Sequence, residues 1–349
     1  MAVVPRGDSI VTRSVWASNL ETEFELIRSV ISSYPLISMD TEFPGVIFQS
    51  NSDMREPQYN YALMKANVEC LHLIQVGLTL SDCDGNLPSF QSSDRFIWEF
   101  NFREFNVACD PHATESIALL QRQGVDLEKN RRFGIDIERF VELLMFSGMV
   151  CNNNVQWITF HGAYDFGYLV KALTYRFFPT QPLLPVDLSH FMHLVKFFFG
   201  ETIYDVKHLI KFCPDLHGGL DRVSDSLCLD RAVGKSHQAG SDSLLTLHAF
   251  NKIKNVYFSK HSSSHILNYK NVLYLCLEPY PQQNIKFFHF GIEGKMDLSV
   301  PAIKDLILEA VKVLIGYVKT LGILCFLGFR RVFGCFAFCT FYAFSWDSF

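Results

Sequence analysis

The sequence has no excess of positive charge. Its 349 residues include 31 lysines and arginines against 36 aspartates and glutamates, which gives a formal net charge of -5. Proteins that bind nucleic acid over a broad surface are usually strongly basic, so that class is excluded. Any contact with nucleic acid must be local, in a cleft where metal ions and a few basic side chains offset the phosphate charge.

Zinc-binding and targeting signals are also missing. The ten cysteines include no CxxC pair and no histidine partner at zinc-finger spacing, which excludes the usual structural zinc sites and favours reduced thiols. Residues 1–14 have no apolar core of the length a signal peptide needs, so the protein is expected on the cytosolic side of membranes. Internal repeats and low-complexity linkers are absent as well.

The composition changes sharply near residue 280. Residues 10–280 mix charged and apolar side chains as a globular domain does, whereas residues 281–349 become strongly apolar and rich in phenylalanine and cysteine. Hydrophobic residues make up 49% of the chain, enough for one large core with an appendage. We therefore predict a folded domain over residues 10–280 and an atypical apolar extension of unknown role over residues 281–349.

The C-terminal extension is predicted to begin as an amphipathic helix. Apolar residues recur at helical spacing over residues 303–318. The apolar run that follows is split by Arg330 and Arg331, and each half is shorter than the roughly 20 residues that span a bilayer. A membrane anchor is therefore unexpected. An extension without a role in catalysis is favoured over interfacial membrane attachment or binding in a partner groove.

The hydrophobic patterns of the domain predict a mixed α/β fold. Helical spacing extends over residues 15–33, and strand-like runs follow at residues 36–42, 71–80 and 96–102. Further along, helices and strands alternate, with strands at residues 155–160 and 202–206 and helices near 113–121, 135–147 and 165–175. The last helix begins near Ser241. This order indicates a mixed sheet with helices on both faces.

Two carboxylates stand at the end of the first strand-like run. Asp40 and Glu42 are separated by one residue, so the period of two places both side chains on one face. Two carboxylates aimed at one point repel each other unless a cation lies between them, and hard oxygen ligands suit Mg²⁺ or Mn²⁺. By itself, however, such a pair more often merely ends a strand at the surface.

Three further residues are predicted to converge with this pair. Asp165 follows a strand and a turn of small residues, at the carboxyl edge where sites of open sheets lie. Asp242 is near the start of the last helix, with His237 in the loop before it. Histidine changes charge near neutral pH and can take a proton from an attacking water. Alternatively, Asp165 and Asp242 are ordinary first-turn acids that stabilise their helices.

These residues lie in segments that match a known family. The segments are residues 39–45 (MDTEFPG), 73–79 (LIQVGLT), 164–169 (YDFGYL), 204–209 (YDVKHL) and 237–245 (HQAGSDSLL). With them, the sequence resembles the DEDDh exonucleases of the RNase D group and, within that group, the Caf/Pop-type deadenylase subunit of the Ccr-Not complex. The likeness runs from about residue 10 to about residue 279.

The resemblance implies an RNase H-like fold, two divalent ions (Mg²⁺ or Mn²⁺), and hydrolytic release of AMP from the 3′ poly(A) of single-stranded RNA. Asp40, Glu42, Asp165 and Asp242 match the metal-binding carboxylates of the family, and His237 matches its general base. The resemblance also implies a Ccr-type nuclease subunit and a Not scaffold as partners. Action in mRNA turnover, in the cytoplasm and nucleus, is expected on the same ground.

Residues beside these motifs have two interpretations each. Phe43 and Gly45 directly follow the strand carboxylates, where a terminal nucleotide could stack and a backbone amide could approach a ribose. Core packing explains Phe43 equally well. A role as a helix N-cap explains Asp205 at least as well as a role in the site. Lys207, His208 and Lys211 could contact phosphates, but a solvated helix face is the favoured interpretation.

Two functional alternatives stand beside a poly(A)-specific exoribonuclease. One is a scaffold subunit that keeps the fold without catalysis, and the other is a general 3′ exonuclease for single strands. All five catalytic positions carry the right chemistry, which favours an enzyme, because loss of any one metal ligand weakens such a site greatly. The metal-binding motifs do not distinguish between substrates.

Overall fold

The computed structural model of the chain describes residues 9–49, 56–175, 184–258 and 266–270. In these ranges six strands form one sheet, in the order β1-β4-β3-β2-β5-β6. The strands are β1 (Ile10–Val15), β2 (Leu36–Glu42), β3 (Gln75–Ser81), β4 (Arg95–Asn101), β5 (Gln156–Thr159) and β6 (Ile203–Asp205). The α-helices are α1 (Leu20–Val30), α2 (Pro57–Cys70), α3 (Thr114–Gln123), α4 (Leu127–Phe133), α5 (Ile137–Met145), α6 (Ala163–Tyr175), α7 (Leu188–Phe199), α8 (Val206–Leu209), α9 (Leu220–Ser226) and α10 (Ala239–Ile253).

The directions of the strands bring the carboxyl ends of β2, β5 and β6 to one edge of the sheet. β2 is antiparallel to β3, and β3 is antiparallel to β4, as the predicted meander requires. In contrast, β5 runs parallel to both β2 and β6, and β1 runs parallel to β4. Because β2, β5 and β6 share a direction, their carboxyl ends meet at the same edge. The end of β2 therefore lies beside the turns that lead into α6 and α8.

Helices cover both faces of the sheet. Ser38 on β2 points to α10, and its hydroxyl donates to the carbonyl oxygen of Ser243 at 2.6 Å. Thr41 is three residues further and so points to the opposite face, where its hydroxyl donates to Asp165 of α6 at 2.6 Å. A mixed sheet with helices on both faces is therefore confirmed.

The start of α10 lies directly on β3. Gly77, which is paired with Asp40 of β2, has no room for a side chain. A Cβ atom there would lie 1.8 Å from the carbonyl oxygen of Ala239 and 2.5 Å from the amide nitrogen of Gly240. The helix backbone can approach the sheet this closely only because residue 77 is glycine. This approach brings the first turn of α10 next to the end of β2.

Aromatic side chains fill the core around the sheet. The rings of Trp157 and Phe199 meet edge to face at 5.1 Å, and Phe166 of α6 meets Phe199 at 4.9 Å. All three side chains are fully buried. Edge-to-face pairs of buried rings contribute roughly 0.5–1.5 kcal/mol each beyond their burial, so α6 and α7 are held firmly against β5.

Some elements differ from the sequence predictions. The predicted helix over residues 15–33 starts too early, because β1 includes Val15 and α1 begins only at Leu20. The strand predicted from residue 71 begins at Gln75. Helices α2, α4, α7 and α9 were not predicted. Helix α2 has no strong apolar stripe, so it lacks the one-sided spacing from which a helix is recognised. Helix α7 does bury an apolar face at helical spacing, and the sequence analysis missed it.

The C-terminal predictions lie outside the described residues. They are the boundary near residue 280, the extension over residues 281–349 and the amphipathic helix over residues 303–318. Among the helices that the structure describes, none is both long and apolar enough to cross a membrane. The cysteines in the described ranges are free thiols.

Candidate active site

Four carboxylates from three elements meet at the carboxyl edge of β2. Asp40 and Glu42 lie at the end of this strand, Asp165 is in the first turn of α6, and Asp242 is in the first turn of α10. Glu42, Asp165 and Asp242 are buried, and Asp40 is partly buried. The structure thus brings together the acids that the sequence carries in three separate motifs.

Asp165 is held by the strand that carries the first two acids. Its Oδ1 atom accepts the hydroxyl of Thr41 at 2.6 Å. Burial raises the pKa of Asp165 to about 7, although the hydrogen bond from Thr41 opposes the rise. Thr41 stands between Asp40 and Glu42 on the other face of the strand, so one strand end supplies two carboxylates and positions a third.

Asp242 is oriented through both of its carboxylate oxygens. Oδ1 accepts a hydrogen bond from the guanidinium of Arg231 at 2.5 Å, and Oδ2 accepts the backbone N–H of His237 at 2.9 Å. Burial raises the pKa of Asp242, and the positive charge of Arg231 opposes this rise. Arg231 was not predicted as part of the site. The only feature of the sequence that points to Arg231 is its position a few residues before His237.

His237 lies at the open side of the carboxylate cluster. Its side chain is 45% exposed, and Nδ1 is 3.9 Å from Oε1 of Glu42. Its φ angle is 59°, a left-handed conformation that non-glycine residues rarely adopt and that occurs preferentially at functional sites. Glu42, His237 and Asp242 each offer one ligand atom, and these atoms all lie within 4.8 Å of one another. The geometry therefore suits the predicted general base and also permits a ligand.

The electrostatics of the cluster fit a divalent cation. Burial raises the pKa of Asp40 and of Glu42 well above the usual range, and repulsion from Asp242 and Asp165 adds to both shifts. Such shifts mean that the folded protein, by itself, opposes the ionised carboxylates. A bound cation reverses this balance, and carboxylate oxygens are the ligands that Mg²⁺ and Mn²⁺ prefer. The residues present therefore fit the metal that the sequence predicts.

This electrostatic arrangement predicts that the metal-free protein loses stability as the pH rises. The pKa of Asp165 is about 7 in the folded state against 3.8 for the free side chain, so the folded state binds more protons between these values. Stability is therefore greatest at the acidic end and falls toward pH 7. Between pH 6 and pH 8 the loss from this group alone is roughly 1 kcal/mol, or roughly 2–4 °C in melting temperature.

The measurement is thermal unfolding in EDTA at pH 6 and pH 8. An Asp165→Asn variant is the matched comparison, because it keeps the shape of the side chain and removes its titration. We expect the difference between the two pH values to be smaller in the variant than in the wild type. Excess Mg²⁺ should shrink the difference in the wild type as well, since it binds the ionised form. An equal pH dependence of the melting temperature in both proteins would contradict the raised pKa of Asp165.

Glu99 is a fifth carboxylate that the sequence analysis missed. It lies on β4, paired with Gly77 of β3, and Gly77 is in turn paired with Asp40, so Glu99 and Asp40 share one face of the sheet. Its Oε2 atom accepts the N–H of Gly240 at 3.2 Å, which fixes the first turn of α10 to β4. The alternation of side chains along β4 shows which residues share a face with Glu99. It does not show that this face of the sheet carries the site, so Glu99 could not be predicted from the sequence.

Asp205 supports the site from outside. It is fully buried, and its carboxylate accepts the backbone N–H groups of Lys207 at 3.0 Å, His161 at 2.8 Å and Gly162 at 3.1 Å. The predicted N-cap role is therefore observed, with a second role in the turn before α6. Because this turn leads into the helix of Asp165, Asp205 helps to set where that helix begins.

The solvated helix face predicted over residues 207–211 is wrong for two of its residues. Lys207 and His208 are buried, and the ammonium group of Lys207 donates to the carbonyl oxygen of Gly218 at 2.7 Å. Lys211 alone is exposed. Lysine stems bury readily when the charged end finds an acceptor, and local charge spacing does not show where such an acceptor lies.

A pocket of about 590 Å³ opens beside the carboxylate cluster. Phe43 and Gly45 line it together with Glu42 and His237, and its far wall is the start of α3. The ring of Phe43 is partly buried and stacks on Tyr164 at 5.1 Å, so this residue both packs on its neighbours and lines the pocket. Stacking of a terminal nucleotide on Phe43 stays a prediction. The φ angle of Gly45 is 86°, and a Cβ atom there would lie 2.3 Å from the hydroxyl of Ser116. Glycine thus lets the loop after β2 fold against α3.

The sequence matches a known family and curated proteins. Residues 15–142 match the model described as CAF1 family ribonuclease. The chain is 47% identical over 260 residues to "Probable CCR4-associated factor 1 homolog 7" of Arabidopsis thaliana, which covers 74% of this chain and 92% of that protein. It is 42% identical over 262 residues to "Poly(A) ribonuclease pop2" of Schizosaccharomyces pombe, which covers 73% of each.

Solved structures agree with these matches. The Mg²⁺- and Mn²⁺-bound form of Pop2p of S. pombe superposes with a TM-score of 0.67 at 41% identity, over 76% of this chain and 99% of that one. A chain from the structure of the yeast NOT1 MIF4G domain co-crystallised with CAF1 has a TM-score of 0.61 at 33% identity, over 78% of this chain and 100% of that one. The predicted RNase H-like fold class is confirmed.

Proposed function

The chain belongs to the CAF1 family of ribonucleases, and from that premise we propose that it is a 3′-5′ exoribonuclease that shortens poly(A) tails of mRNA and releases AMP. One observation carries the proposal: Asp40, Glu42, Asp165 and Asp242 converge at one edge of the sheet, with His237 and an open pocket beside them. A relative named poly(A) ribonuclease pop2 supports poly(A) as the substrate.

Asp40, Glu42, Asp165 and Asp242 would hold two divalent ions, Mg²⁺ or Mn²⁺, as the Mg²⁺- and Mn²⁺-bound relative suggests. When bound, such ions lower the pKa of the attacking water and stabilise charge on the attacking and leaving oxygens. The protein supplies the orientation of the ligands. Thr41 holds Asp165 and Arg231 holds Asp242, so these carboxylates need little reorganisation to bind a cation.

His237 would act as the general base. Its ring is partly exposed at the mouth of the cluster, where water and the end of a substrate can reach it. In the proposed reaction a ring nitrogen of His237 accepts the proton of the attacking water. The backbone N–H of the same residue binds Asp242 at 2.9 Å, which ties the position of the base to that of a proposed metal ligand.

The pocket beside the cluster would hold the 3′-terminal nucleotide. Phe43 offers an aromatic surface on its wall, and Gly45 offers a backbone that approaches α3 closely. Aromatic stacking is worth roughly 1–3 kcal/mol per base and tolerates every base. Phe43 therefore explains how a nucleotide binds, whereas the preference for adenine rests on the family.

Partners and location are proposed on the same premise. One relative is named a probable CCR4-associated factor 1 homolog, and a solved relative was co-crystallised with the NOT1 MIF4G domain. We propose the same kinds of partner for this chain, a Ccr-type nuclease subunit and a Not scaffold, with action in the cytoplasm and nucleus. A purely scaffolding role is not favoured, because all five catalytic positions are filled.

The test is digestion of labelled RNAs that share one body and end in A, C, G or U tails. We expect stepwise 3′ shortening that is fastest on the A tail, release of AMP, and no shortening in EDTA. Equal rates on all four tails would identify a general 3′ exonuclease. No shortening of any tail, with a folded protein and excess Mg²⁺ or Mn²⁺, would favour the scaffold.

A further inference from the structure

One acid outside the predicted site accepts hydrogen bonds from two residues that adjoin the site, Arg231 and Ser236. Asp221 lies in the first turn of α9. Its Oδ1 atom accepts a hydrogen bond from Arg231 at 2.6 Å, and its Oδ2 atom accepts the hydroxyl of Ser236 at 2.7 Å. A single carboxylate thus touches the arginine that holds Asp242 and the residue that precedes His237.

We propose that Asp221 is a positioning residue that sets the orientation of both Asp242 and His237. This inference rests on the proposed function and names a residue that acts through others, without contact with substrate or metal. Two chains of hydrogen bonds start at its carboxylate. The arginine branch runs through Arg231 to Asp242, and the serine branch runs through Ser236 to the neighbouring His237.

The arginine branch orients a metal ligand. The guanidinium of Arg231 uses Nη2 for Asp221 and Nη1 for Asp242, at 2.6 and 2.5 Å. A planar guanidinium fixed at one end has few orientations left at the other. Nη1 also donates to the hydroxyl of Ser241 at 2.6 Å. Asp221 therefore helps Ser241 to fix where Arg231 presents its second N–H group, and so where Oδ1 of Asp242 lies.

The serine branch orients the base. Ser236 comes directly before His237, whose left-handed φ angle of 59° is unfavourable for a side chain with a Cβ atom. Such a conformation persists only where the surroundings hold it. The hydroxyl of Ser236 bound to Asp221 and the N–H of His237 bound to Asp242 hold this residue from both sides.

The exposure of Asp221 separates positioning from stability. Its side chain is 57% exposed, against 17% for Arg231 and 10% for Asp242. Exposed ion pairs contribute little to the stability of a fold. Loss of the Asp221 carboxylate should therefore leave the fold intact and disturb only the groups that it orients.

The central variant is Asp221→Asn, and its matched control is Asp225→Asn, the same charge change at an exposed acid on the same helix. Three quantities are measured on the full chain: the metal-free melting temperature, the apparent dissociation constant for Mn²⁺ from thermal stabilisation, and kcat and KM on an RNA with a 3′ A tail. Residues that orient metal ligands typically change metal affinity or activity by about 10- to 100-fold.

For Asp221→Asn we expect Mn²⁺ binding about tenfold weaker and kcat about tenfold lower, with KM and the metal-free melting temperature close to wild type. A Ser236→Ala variant removes only the serine branch, so we expect a lower kcat with unchanged Mn²⁺ affinity. Asp225→Asn should match the wild type in all three quantities.

Asp221→Asn with the Mn²⁺ affinity and kcat of Asp225→Asn would overturn the proposal. A strongly lowered melting temperature with unchanged Mn²⁺ affinity would also overturn it, since the role would then be structural. If the wild type shortens no RNA, the Mn²⁺ affinities still test the positioning role of Asp221. Weaker binding in Asp221→Asn alone then supports the positioning role, while the proposed nuclease function fails separately.

Discussion

An Asp40→Asn variant is expected to lose RNA shortening while its metal-free form melts at a higher temperature than the wild type. The two effects have one cause. Asp40 is surrounded by Glu42, Asp165 and Asp242, whose charges together with burial raise its pKa well above the usual range. Asparagine keeps the shape, removes the charge, and relieves repulsion that a bound cation would otherwise offset.

The loss of activity should be large. A catalytic metal contributes several kcal/mol to the stabilisation of the transition state, and about 1.4 kcal/mol corresponds to a factor of ten in rate. We therefore expect kcat to fall by at least about 10³-fold. The gain in melting temperature in EDTA should be roughly 2–4 °C for each kcal/mol of relieved repulsion.

The matched control is Asp84→Asn, which removes an exposed carboxylate on the turn after β3. It should change neither the nuclease rate nor the metal-free melting temperature by much. Near wild-type RNA shortening by Asp40→Asn would remove Asp40 from the metal site. A lower melting temperature in EDTA would show that the carboxylates do not destabilise the metal-free fold.

Replacement of His237 should slow the chemical step by roughly 10²–10⁴-fold, the usual effect of losing a general base. The replacement must tolerate a left-handed backbone, because the φ angle of this residue is 59°. Asparagine adopts this conformation more readily than alanine. His237→Asn therefore separates the loss of the imidazole from backbone strain, and His237→Ala measures both together.

Metal affinity distinguishes the two roles that the geometry permits. If His237 is the general base, Mn²⁺ should stabilise His237→Asn against heat as strongly as it stabilises the wild type. His193→Asn on α7 serves as the control for loss of an imidazole elsewhere. A collapse of Mn²⁺ affinity in His237→Asn would make this residue a ligand, which its ring position within 4.8 Å of ligand atoms of Glu42 and Asp242 allows.

Much of the fold could be predicted from sequence because the signals are local. Strand β2 was predicted with its observed bounds, because an apolar run followed by two acids at a spacing of two is visible within seven residues. The strand β1 was missed, because its six residues alternate only weakly and stand directly before a helical pattern. Helix α2 was missed because its apolar residues form no clear stripe.

The supporting contacts of the site could not be predicted in this way. Thr41 and Asp165 are 124 residues apart in the chain, and Glu99 and Gly240 are 141 apart. Nothing in the short segments around these residues shows that they meet. Gly77 lies inside a segment that matched the family. The reason for a glycine there is seen only in the structure, where the backbone of α10 packs directly against it.

The sequence by itself determined the chemistry of this protein: which carboxylates and which histidine it carries, and that Asp40 and Glu42 share one face of a strand. The sequence also predicted that Asp165 and Asp242 join them. Only the tertiary structure decided that Arg231 and Asp221 hold Asp242, and that a pocket opens beside Phe43. Side-chain direction along a strand depends on local backbone geometry alone. Convergence depends on how distant elements pack, and a close approach such as that of α10 to Gly77 exists only once the whole sheet has formed.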